Sequence, residues 1–74
     1  MAATCTNYNP ATKKGEYVVG TLDELSQLPT TTTYGNGELA HHSPCSNGSE
    51  CIVLYPSLMF YFLDGSTDTW VKRG

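Results

Sequence analysis

Four side chains in the middle of the chain have the types that chemistry needs: His41, His42, Cys45 and Cys51. Cysteine and histidine are the ligands of tetrahedral zinc, but structural sites space them in pairs two to four residues apart. Adjacent His41-His42 and a Cys-x5-Cys interval do not fit that spacing. No metal is expected, and two solvent-facing or interface histidines suit the pattern better. A Cys–His nucleophile also needs a lowered thiol pKa and a third, orienting group. A chain of 74 residues has little room for the protected cleft that would supply both. The carboxylates include no pair in an apolar context that would raise a pKa for acid catalysis. Asp64 and Asp68 read as loop residues. Gly35-Asn36-Gly37 lacks the lysine and helix of a phosphate loop. Asn47-Gly48-Ser49 satisfies the glycosylation sequon, which is expected to be accidental in a chain without a leader. The expectation is a protein that is not an enzyme and binds no cofactor.

Charge narrows the remaining classes. The net charge is −3, and the basic residues are two dipeptides, Lys13-Lys14 and Lys72-Arg73. Nucleic-acid binders normally carry a basic stripe, so no nucleic-acid partner is expected. No run approaches the ~20 apolar residues of a membrane span. Residues 1–9 have neither the charged nor the apolar region of a signal peptide, so assembly in the cytoplasm is expected. An odd cysteine count, Cys5, Cys45 and Cys51, favours free thiols in a reducing compartment. A Cys45–Cys51 bridge across the Ser46–Ser49 turn stays open as an alternative.

The elements that would position these residues are strands. Charged residues make up only 15% of the chain, and threonine, serine, asparagine and glycine carry its polarity, a balance that disfavours long helices. Residues 1–15 show no hydrophobic period and read as an extended N-terminal arm, with Tyr8 as its anchor. Residues 16–74 then form one small β domain. Glu16–Gly20 is a strand signal. Thr21-Leu22-Asp23-Glu24 matches a capping box, which predicts a short helix to about Gln27 that packs Leu22, Leu25 and Leu28 on a sheet. Thr30–Tyr34 reads as extended, Gly35-Asn36-Gly37 as a turn, and Glu38–His42 as a further short strand. Cys51–Tyr55, Leu58–Leu63 and Thr69–Lys72 complete the set. The fold class is mainly β, a small antiparallel sheet or partly open barrel with one short helix. Val18, Leu22, Leu25, Val53 and Trp70 are the expected core.

Leu58-Met59-Phe60-Tyr61-Phe62-Leu63 is apolar at every position. Successive strand residues face opposite sides, so this strand is apolar on both. So short a chain cannot cover both faces by itself. One face is expected to meet the core and the other a partner subunit. Met59, Phe60, Tyr61 and Phe62, alternate members of which turn outward, are the expected interface, with Tyr8 in the arm. Exposed aromatics could instead stack on sugar rings, which would make a carbohydrate-binding or host-adhesion module.

The run Leu58–Gly65 followed by Trp70-Val71-Lys72 resembles a module of bacteriophage and prophage structural proteins, in which a strand ending in Tyr-x-x-Asp-Gly precedes a short turn and a Trp-Val strand. Gly20–Leu25, Leu28-Pro29 and Gly37 are similar in kind and order. The polar insert Ser43–Ser49 and the cysteines depart from that pattern. The resemblance implies a head-fibre, decoration or minor capsid component. It would be a homo-oligomer, in the manner of the trimers common in that group. It would dock to other virion proteins such as the major capsid protein and assemble in the host cytoplasm. A small prophage-encoded cytoplasmic regulator is the third reading.

Overall fold

A computed structural model describes residues 3–73. Met1 and Ala2 of the expected arm, and Gly74 at the other end of the β domain, lie outside the described residues. The chain is mainly β, as its composition predicts. Five strands form one open sheet in the order in which they occur: β1 (Thr4–Asn9), β2 (Lys14–Val19), β3 (Glu50–Val53), β4 (Met59–Asp64) and β5 (Thr69–Lys72). All neighbours are antiparallel except β2 and β3, which run parallel. The sheet is therefore mixed rather than purely antiparallel.

That one parallel step dictates the rest. Parallel neighbours need a long connection, usually a dozen residues or more. Residues 20–49 supply it and lie across one face of the sheet. The connection carries two 3-10 helices, Leu22–Gln27 and Gly37–Leu39. It buries Leu28, Leu39 and Cys45 against Tyr17 and Val19 of β2, Cys51 and Val53 of β3, and Leu63 of β4. Leu25, Met59, Tyr61 and Trp70 pack around this cluster, partly buried.

The expected arm is extended, but from Thr4 onward it is the edge strand of the chain's own sheet. It pairs with β2 from Thr4↔Val18 to Asn9↔Lys14, with a register shift between Cys5 and Asn7. Tyr8 packs on the core, and its hydroxyl donates to the Pro44 carbonyl at 3.1 Å.

Several local expectations change. The helix forms where the capping box places it, and the Thr21 N–H donates to Glu24 Oε1 at 2.9 Å, but the coil is 3-10. It begins just past the end of β2. Leu28 reaches the core, Leu25 reaches it in part, and Leu22 stays at the rim, 43% exposed. Val18 is also not core, because alternation in β2 gives the covered face to Tyr17 and Val19. Residues 38–42 are not a strand. Gly37 adopts φ +58°, and local Leu39 N–H to Asn36 and Ala40 N–H to Gly37 carbonyl bonds coil the segment around buried Leu39. Thr30–Thr33 is a turn, closed by the Thr30 N–H to the Thr33 carbonyl at 3.0 Å.

Ser49 fastens the connection where it re-enters the sheet. Its buried hydroxyl accepts the Gly15 N–H at 3.0 Å and donates to the Ser46 carbonyl at 2.8 Å. Gly15 is required next to it, because a β-carbon there would collide with the Tyr17 phenol.

The burial pattern makes a direct forecast. Truncating fully buried Leu63 to alanine should cost about 2–5 kcal/mol in urea unfolding. Leu22→Ala, though equally apolar, should cost within roughly 0.5 kcal/mol, as surface substitutions do.

Candidate functional site

Strand alternation sorts the sheet into two unlike faces. Tyr17, Val19, Cys51, Val53, Met59, Tyr61, Leu63 and Trp70 point toward the connection. Val18, Ile52, Phe60, Phe62 and Val71 point the other way, and no element among the described residues covers them. Register places them side by side. Val18, Ile52 and Phe60 form one row across β2, β3 and β4. In the next row Phe62 and Val71 continue the apolar surface, while Glu16 and Glu50 occupy its β2 and β3 positions. None of the five apolar residues is buried, and Phe60 is half exposed.

The surface continues over one end of the sheet. The loop from β3 to β4 holds Leu54, Tyr55, Pro56, Ser57 and Leu58 in solvent, with Tyr55 67% and Leu58 64% exposed. The Leu54 N–H donates to the Val19 carbonyl and the Tyr55 N–H to the Gly20 carbonyl, which extends the parallel β2–β3 pairing into the loop. Exposed Leu22 follows Gly20 by two residues. Beside the apolar rows lies a polar groove of about 270 Å³ lined by Asn7, Asn9, Lys14, Glu16 and Glu50. Contiguous exposed apolar surface of this kind marks an interaction site on soluble proteins.

The expected interface residues therefore divide. Phe60 and Phe62 lie on the open face. Met59 and Tyr61 lie on the covered face against the core, because they alternate with the phenylalanines. Tyr8 is engaged within its own chain. The sequence reads only Pro56-Ser57 as a turn and assigns Leu54, Tyr55 and Leu58 to the flanking strands, but β3 ends at Val53 and β4 begins at Met59, which leaves all three in the exposed loop.

The residues that invited chemistry are occupied structurally or dispersed. All three cysteines are free thiols. Cys45 is buried and donates to the Pro29 carbonyl, and burial pushes the Cys51 thiol up to about 12. Burial also raises the pKa of Cys5. Neither Cys5 nor Cys51 has the lowered pKa of a reactive thiolate. His41 and His42 line a shallow cleft of about 250 Å³ with Cys5, Tyr8, Tyr17 and Ser43. Among the described residues, no group of three or more His, Cys, Asp or Glu side chains is placed to hold a metal ion. Asn47 spends its side-chain oxygen on the Gly65 N–H at 2.6 Å, and the sequon's Ser49 is buried.

Asp68, read from sequence only as a loop residue, clamps the β4–β5 hairpin to the connection. Its carboxylate accepts the Thr31 N–H at 2.7 Å and the hydroxyls of Thr30 at 2.9 Å, Thr32 at 2.5 Å and Thr31. Two residues on, the Trp70 indole N–H donates to the Pro29 carbonyl at 3.0 Å, and its ring meets Tyr17 edge-on with centroids 5.9 Å apart. Trp70 thus packs on the core face and is not a free stacking platform.

Comparison with protein-family models, with curated proteins and with solved structures gives no match for this chain.

The bonds from Thr31 and Thr32 hold the Asp68 carboxyl down to about 2. A depressed carboxyl stabilises the fold above its unfolded value near 3.9, and that contribution disappears as pH falls through the folded value. The wild-type chain should lose stability as pH drops from about 4 toward about 2. Asp68→Asn should flatten that part of the profile, read as the thermal midpoint against pH.

Proposed function

We propose that this chain is a non-enzymatic docking module that works by burying the open face of its sheet against other protein subunits. The observation that carries the reading is the uncovered row Val18–Ile52–Phe60 with Phe62 and Val71 beside it. Fully burying a side chain such as phenylalanine or isoleucine contributes about 1.5–3 kcal/mol relative to leaving it in water. Aromatic anchors of this type dominate the energetics of many interfaces. The loop Leu54–Leu58 enlarges the same surface.

The kind of assembly is proposed from the resemblance of Leu58–Gly65 and Trp70–Lys72 to phage structural modules. On that reading the chain is a head-fibre, decoration or minor capsid component, and its partners are virion proteins such as the major capsid protein. It enters particles as they assemble in the host cytoplasm. A sugar-binding surface built on Trp70 finds less support, since that ring is committed to Tyr17 and Pro29.

Particle fractionation tests this reading. The chain, produced from its own locus, should co-sediment with virus particles on a density gradient. Phe60→Asp should leave circular dichroism and the melting midpoint near wild type while lowering incorporation, with a loss of about 2 kcal/mol or more of association if Phe60 is an anchor. Wild-type chain remaining at the top of the gradient, free of particles, would overturn the virion assignment. Full incorporation of folded Phe60→Asp would overturn the role of this face.

A further inference from the structure

The open face is framed by opposite charges at opposite corners. Glu16 stands at the β2 end of the row Glu16–Glu50–Phe62–Val71. Arg73 follows β5, and its N–H donates to the Phe60 carbonyl at 2.7 Å, which places it at the far end of the neighbouring row Val18–Ile52–Phe60. The apolar residues and Glu50 lie between these two corners. Arg73 reaches back over the face to Glu50, with Nη1 to Oε2 at 3.5 Å, in a pair whose side chains are both more than half exposed. Such an exposed pair is held weakly. Glu16 makes no ion pair among the described residues.

We propose that the occupant of this face is a second copy of the chain, packed sheet to sheet about a two-fold axis. The proposal rests on the docking reading of the same face and names its partner. A two-fold interface sets one patch against itself, so the patch must be self-complementary. This one is. An axis lying in the plane of the interface, running between β3 and β4 at a tilt to the strands, exchanges the Glu16 corner with the Arg73 corner. Each Arg73 then lies beside Glu16 of the other copy while Val18, Ile52, Phe60, Phe62 and Val71 supply the apolar contacts across the interface. Two single-layer sheets joined in this way form a sandwich with a shared inner core, the usual solution for a sheet apolar on both sides. The edges offer a poorer route to self-association. β5 is short and carries Lys72, and β1 is interrupted by its register shift, both familiar guards of sheet edges.

Sedimentation equilibrium of the purified full chain over a concentration series tests the pairing. Wild type should be a dimer. Glu16→Arg or Arg73→Glu alone should weaken dimerisation on the order of tenfold, since each sets like charges together across the interface. The double exchange should restore it, and circular dichroism should show all three variants folded. Arg73→Ala, which adds no repulsion, should weaken the dimer less than Arg73→Glu. A wild-type chain that stays monomeric at every concentration, or that forms a trimer, would overturn the second-copy proposal. The particle experiment would still decide the docking reading on its own. A dimer indifferent to the single exchanges, or one the double exchange fails to restore, would overturn this pairing geometry.

Discussion

A sheet has two faces, and this chain has one long connection with which to cover them. The parallel step between β2 and β3 obliges residues 20–49 to travel the length of the sheet. They do so on one side. Every other link is short: four residues from β1 to β2, five from β3 to β4, four from β4 to β5. None of these can lie across the second face. The core, the exposed phenylalanines and the proposed docking surface all follow from that single commitment of chain.

The covered side shows how so small a layer is held in place. Its fully buried apolar side chains are few, and the connection is irregular along most of its length. Polar fasteners at three points compensate. Ser49 ties the end of the connection to β2, Asp68 ties the hairpin to the threonine turn, and the Trp70 indole ties β5 to Pro29. Each uses a side chain where a regular element would have used its backbone ladder. The threonines that look like strand formers in sequence serve instead as hydroxyl donors to one carboxylate. Burying a lone charge is costly, and this carboxylate stays at the surface where several donors can reach it.

Composition, β-branched runs and turn residues made the mainly β class and the approximate positions of β2 to β5 legible in the sequence, and an unbroken apolar run did the same for the two-sided character of β4, while β1 read only as an extended arm. Which side was which depended on parity. The parity of β4 is set by its register with β3, where Ile52 opposes Phe60 and Cys51 opposes Tyr61. Long-range pairing of that kind leaves no local mark on an all-apolar run. Val18 was misplaced for the same reason. The Glu38–His42 segment failed differently. Its composition allowed a strand, but Gly37 at positive φ and the local Leu39 and Ala40 N–H bonds coil it around buried Leu39. The Asp68 clamp joins residues nearly forty positions apart, so it too was invisible to local reading.

A one-layer sheet with an apolar back is a stable design only if that back is closed in the working state. Leaving it open invites indiscriminate association, since contiguous apolar surface is sticky without regard to partner. The open face meets that hazard with charge. Glu16, Glu50, Lys14 and Arg73 share the face with the apolar residues, so a partner that brings like charges to them, or leaves them buried and unpaired, is penalised. On the docking reading, specificity would come from the frame and adhesion from the centre. That division of labour accounts for the placement of charge on a chain that carries little of it. Lys14 opens β2 on the open face and Arg73 follows β5 on the same side, while Lys13 lies in the β1–β2 turn and Lys72 pairs with Tyr61 on the covered side.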